Sequence, residues 1–152
     1  MSLPYQDATT GAKAMDEVQR ILQRFGVQNF GHMQDFEKGE LIVQFTFRNI
    51  PICVRASAKG YAAAWLKENP YSHRRRASRA EWEQRALDIG GKAVYSILRD
   101  WIKGQVMAIE SGILSFEGAF LGQMLLPTGE TVLDRAINSK MLPQLSDQRP
   151  AA

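Results

Sequence analysis

The 152-residue chain has one cysteine, Cys53, and two histidines, His32 and His73. A lone thiol excludes an intramolecular disulfide framework and makes a cytoplasmic setting the expectation. Cys53 alternates with Ile52 and Val54 inside a strand-like run, which suits a packed thiol. The two histidines are isolated from it and from each other, so no metal site and no cofactor are expected. No apolar run approaches the ~20 residues that cross a bilayer, so no membrane partner is expected. The first residues, MSLPYQDATTGAK, lack a basic segment followed by an apolar one, and no secretion signal is expected. Phosphate-loop, dinucleotide-fingerprint, zinc-protease and nucleophile-elbow patterns are all missing. The acidic pairs Asp35/Glu37 and Glu81/Glu83 sit in polar surroundings that do not set two carboxyls apart as acid and base. A non-enzymatic protein is expected.

The hydrophobic content of 45% with 23% charged residues is enough for one packed core, so residues 1–152 are read as a single domain. Residues 1–10 and 144–152 are expected to be flexible. Met15, Val18, Ile21, Leu22 and Phe25 recur three and four apart, which predicts a helix over Gly11–Phe25 with Gly26 as its C-terminal cap. The period then changes to two. Leu41, Val43, Phe45 and Phe47 alternate with Ile42, Gln44, Thr46 and Arg48, the pattern of a half-buried strand. Arg48 to Pro51 reads as a tight connection to an antiparallel partner over residues 52–56. A first strand over residues 29–36 completes a three-stranded meander. Residues 61–68 suit a two-turn helix, stopped by Asn69-Pro70.

The longest periodic stretch is 79–111, where Val94, Ile97, Leu98, Trp101 and Ile102 share one face. Ser78 and Glu81 fit a capping box at its start. Gly90-Gly91 in its interior costs about 1 kcal/mol per glycine against alanine, and this predicts a break into segments 79–89 and 92–111. Ser115 is the expected cap of a short helix through Gln123, with Leu114, Phe116, Phe120 and Leu121 facing inward. Leu126-Pro127-Thr128-Gly129 is turn chemistry, and Thr131 opens a last short helix. The expected class is α+β: an N-terminal helix, a three-stranded antiparallel meander, and a helical half built on one long or kinked helix.

The strongest functional signal is the run His73, Arg74, Arg75, Arg76, followed by Arg79. Cations beside a helix N-terminus oppose its macrodipole, and an external anion such as a phosphate backbone resolves the conflict. The competing reading is a solvated loop whose arginines pair with Glu68, Glu81 or Glu83. The net charge of +3 and a pI near 9.2 are compatible with an anionic partner without requiring one. The candidate nucleic-acid-binding residues are Arg74, Arg75, Arg76, Arg79, Lys59 and Tyr71. Tyr61, Trp65 and Tyr71 either stack on bases of a single strand or pack in the core.

Helix, three antiparallel strands, helix is an order that resembles double-stranded-RNA-binding domains. The resemblance is of order alone. The second long helix has no lysine-rich start, and 61–78 is an insertion which that compact domain lacks. A second resemblance covers most of the chain. Its carriers are Trp101-Ile102-Lys103, Ala108-Ile109-Glu110-Ser111-Gly112-Ile113, Ser115-Phe116-Glu117, Phe120-Leu121 and Leu126-Pro127-Thr128-Gly129-Glu130-Thr131-Val132, with RILQRFGVQNF and VQFTFRNIPICV upstream. Together these resemble small uncharacterised proteins of tailed bacteriophages and prophages. Gly104-Gln105 and Gly90-Gly91 depart from that pattern. The resemblance implies a compact fold, phage origin and the host cytoplasm as location, and it carries over no catalytic residue.

Two functions of different class follow as expectations. One is a phage accessory protein binding DNA or RNA through the arginines. The other is a non-enzymatic inhibitor of a host or defence-system protein, with Trp65 and Tyr71 as interface anchors. Self-association through Gly90, Gly91 and Ala93 is a third partner expectation.

Overall fold

The structure is a computed structural model that describes residues 2–9 and 11–143, so the tail expected to fray lies outside the described residues. Helix α1 (Gly11–Phe25) leads into strands β1 (Asn29–Asp35), β2 (Glu40–Phe47) and β3 (Ile50–Ser57). Helices α2 (Ala58–Glu68) and α3 (Arg79–Glu110) follow, then the short α4 (Phe116–Phe120), a 3-10 turn over Leu121–Gln123, and α5 (Val132–Asn138). The three strands form one antiparallel sheet in the order β1-β2-β3. The fold is α+β, with the element order that the periodicity predicts. Among the described residues no helix is long and apolar enough to cross a membrane.

Alternation along β2 sends Leu41, Val43, Phe45 and Phe47 to the helical side, where all four are buried with Val18 and Leu22 of α1 and Leu98, Ile102 and Val106 of α3. Phe120 closes this core edge-on to Phe45, with ring centroids 5.5 Å apart. Leu114 and Leu121, expected inside, lie on the surface. Helix α4 is one turn long, and only Phe116, Ala119 and Phe120 of it reach the core. The β2–β3 connection is tighter than expected. Arg48 (φ 50°) and Asn49 (φ 65°) make a two-residue loop, and Ile50 and Pro51 already belong to β3. Two successive positive φ values give the twist that a two-residue hairpin needs.

Helix α3 is continuous across Gly90-Gly91, against the expected break. At 32 residues it is about 48 Å long. The two glycines differ in environment. A Cβ at Gly90 would lie 2.4 Å from the carbonyl oxygen of Ala58 and 3.2 Å from the nitrogen of Ala62, so Gly90 lets α2 cross α3 at backbone contact. A Cβ at Gly91 would meet nothing within 4 Å. Gly90 and Ala93 are buried inside the chain, so of the three residues of the expected self-association surface Gly91 alone is open.

The lead-in, expected to be loose, is tied down where it is described. The Tyr5 hydroxyl donates to Asp100 at 2.6 Å, Tyr61 donates its hydroxyl to the Pro4 carbonyl, and Leu3 packs on a second apolar cluster. At Ser78 half of the expected capping box forms: its hydroxyl accepts from the Glu81 N–H at 3.1 Å. The reciprocal box appears at Thr131 and Asp134, with both bonds at 3.1 Å.

Candidate nucleic-acid interface

Helix α2 stops where the sequence predicts, and Asn69 caps it by donating backbone and side-chain N–H groups to the Trp65 carbonyl. The chain then loops through 70–78 and re-enters helix at Arg79. Beneath this loop lies the second cluster, Ala62, Trp65, Trp82 and Ala86, with Tyr71 and Ala77 packed at its side. The two indoles are 5.0 Å apart, and Trp82 Nε1 donates to the Asn69 carbonyl at 2.8 Å. That bond fixes the loop's start to the first turn of α3.

The arginines are seated on this platform. Arg75 places its guanidinium 3.9 Å from the centre of the Trp82 ring and donates from Nε to the Pro70 carbonyl at 3.3 Å. Arg79 lies 5.0 Å over Tyr71, and Arg85 approaches Trp82 from the next turn at 5.6 Å. A guanidinium on an aromatic face gains about 0.5–1 kcal/mol at exposed sites and loses rotamer freedom in advance of any ligand. Arg74 and Arg76 project from the same loop into solvent. Among the described residues, the ion pairs involve Arg99, Lys103 and Arg135 and none of Arg74, Arg75, Arg76 or Arg79. The expected pairing with Glu68, Glu81 or Glu83 is not made. The loop and the first residue of α3 therefore gather four guanidiniums with no carboxylate paired to them among the described residues.

Other expected site residues fall elsewhere. Lys59 is in the first turn of α2, about 14 Å of helix from the loop. Its ammonium donates to the Glu37 carbonyl at 3.2 Å. Trp65 is 6% exposed and faces Trp82, so it offers no open ring to a base or a partner. Tyr71 is half-buried beneath Arg79. Tyr61 is half-buried and hydrogen-bonded through its hydroxyl. Trp82 and Arg85 were not singled out in the sequence, although their three-residue spacing on one helix signals the contact. Among the described residues no three His, Cys, Asp or Glu side chains gather to hold a metal ion.

Comparison of the chain with known protein families, with curated proteins and with solved structures finds no match.

Proposed function

We propose that this chain is a non-enzymatic accessory protein that binds nucleic acid by its phosphates, in the phage or prophage setting that its sequence resemblance implies. One observation carries the reading: Arg74, Arg75, Arg76 and Arg79 cluster at the start of α3 with no carboxylate partner among the described residues, two of them held on aromatic rings. Pre-seated guanidiniums suit the fork geometry of phosphate oxygens. Base stacking has less support, because the Trp65 ring is inside and Tyr71 lies under Arg79. The same burial weakens the reading as a host-protein inhibitor anchored on Trp65 and Tyr71.

The test is fluorescence-anisotropy binding to single- and double-stranded DNA and RNA across a salt series. Phosphate contacts give log K falling with log salt by about 0.9 per contact on duplex DNA. The Arg74→Ala/Arg75→Ala/Arg76→Ala variant is expected to lose most of the affinity and to flatten the slope by about 2 to 3. Absence of binding at low salt, or a slope unchanged in the triple variant, refutes the proposal.

A further inference from the structure

The sheet has two edges, and the chain treats them differently. The two-residue loop Arg48-Asn49 makes Phe47 and Ile50 a hydrogen-bonded pair, after which bonding alternates along the ladder. Even-numbered residues of β2 thus turn their main chain to β1, as the Thr46 carbonyl does in accepting from the Gln28 N–H at 2.7 Å. In β3 the outward groups begin at Pro51. Proline has no N–H to leave unpaired, and its carbonyl accepts from Leu125 at 2.9 Å, while Met124 bridges to Ile52. The β3 edge is covered there.

On β1 the same alternation turns the main chain of Phe30, His32 and Gln34 outward. Those groups have no hydrogen-bond partner among the described residues. The strand NFGHMQD is seven residues long and carries no proline, lysine or arginine, the usual means of protecting an edge. Concavities flank it on both faces. On the outer face a hollow of about 340 Å³ opens beside Gly31, bounded by Met33, Ile42 and Gln44. Gly31 brings no side chain to this hollow, and a Cβ there would meet nothing within 4 Å. On the helical face two spaces lie between β1 and α1. One of about 270 Å³ is bordered by Gln19, Gln23 and Phe30. The other, of about 490 Å³, is bordered by Ala12, His32, Gln34 and Lys92. Lys92 is exposed and makes no ion pair among the described residues.

We propose that β1 accepts an extended peptide of a protein partner as a fourth strand, with an apolar side chain in the hollow beside Gly31 and a carboxylate opposite Lys92. Main-chain bonds to Phe30, His32 and Gln34 supply affinity, and the flanking spaces supply selectivity. Strand geometry adds a constraint. A residue facing Gly31 and a residue facing Lys92 point to opposite faces, so the apolar and acidic positions of the peptide differ by an odd number, with an even number of residues between them.

The test selects random twelve-residue peptides on the intact protein and follows the best synthetic peptide by titration and amide chemical-shift mapping. Enriched peptides are expected to show the odd apolar-to-acidic spacing and to shift the amides of Phe30, His32 and Gln34. N-methylating alternate peptide residues in one phase is expected to cut affinity by about tenfold or more, while the other phase is tolerated. His32→Pro removes one outward N–H and is expected to weaken binding similarly. Gly31→Leu fills the outer hollow without altering the main chain, and it is expected to exclude the apolar side chain. Lys92→Glu is expected to reverse the preference for acid. No enrichment, mapping to another surface, or equal tolerance of both N-methylation phases overturns the proposal. So does a concentration-dependent dimer that Gly31→Leu abolishes, because a second copy would then be the occupant.

Discussion

Two apolar clusters share helix α3, and they are built for different purposes. The larger joins Leu22, Phe45, Ile102 and Phe120 in a centre of mostly aliphatic and phenylalanine side chains, with Arg48 5.0 Å over the Phe47 ring at its rim. The smaller, on Trp65 and Trp82, sits at the amino-terminal end of the helix and is roofed by arginines. The larger core holds sheet and helices together and, among the described residues, meets a single guanidinium, at Phe47. Indole and phenol rings also present a negative face, so the second cluster both packs α2 on α3 and seats cations at the surface.

The comparison can be broken at several places. Phe45→Ala removes a ring that is 1% exposed at the centre of the larger cluster, and it is expected to cost about 3–5 kcal/mol in urea unfolding. Gly90→Ala strikes the smaller cluster by pushing α2 away from α3, with an expected loss of roughly 1–3 kcal/mol. Gly91→Ala, one residue on, is expected to stabilise by up to about 1 kcal/mol, because it gains helix propensity in open space. Opposite signs at adjacent glycines, read as a difference in denaturation midpoint, separate a packing role from an unused one. Arg75→Ala sharpens the contrast further. It is expected to lower stability by about 0.5–1 kcal/mol through lost contact with Trp82, whereas Arg74→Ala leaves stability unchanged and weakens nucleic-acid binding alone.

The smallest effect lies on the exposed side of α3, at Asp100. Its hydrogen bond to Arg99, opposed by burial and reinforced by the Tyr5 hydroxyl, holds its carboxyl below the ordinary value. A depressed folded-state pKa contributes stability at pH values above the unfolded one, near 3.9, and this is lost as pH falls through the folded value. Wild type is therefore expected to lose slightly more stability than Asp100→Asn between about pH 5 and pH 3, measured by denaturant unfolding at each pH.

Element type was legible wherever a period ran long enough. The three- and four-residue spacing in α1 and the alternation in β2 specify helix and strand by themselves, with ends within a few residues. Gly90-Gly91 misled because propensity is a local quantity. The reason for Gly90 is the Ala58 carbonyl, which lies 32 positions earlier in the chain and arrives only by tertiary packing. The basic run was legible as charge, but its organisation was not. Trp82 lies among charged residues in the sequence, and only folding puts its ring under Arg75. For Trp65 the sequence left stacking and core packing both open, since α2 has little apolar periodicity of its own and is buried by the neighbour it crosses.

The pairing of α1 with α3 has a consequence for the order in which the molecule is completed. The meander closes on itself between Asn29 and Ser57, through neighbours in sequence. Helix α1 has one near neighbour and one distant one: Phe25 stacks on Phe47 of β2 with ring centroids 4.4 Å apart, while Glu17 meets Lys103 across 86 positions. During synthesis β2 covers part of the buried face of α1, and the remainder stays uncovered until α3 has left the ribosome. Contacts of that sequence separation form late and slow the overall reaction. The first helix made is thus among the last to finish docking, and until α3 arrives Met15, Val18 and Leu22 are only partly covered.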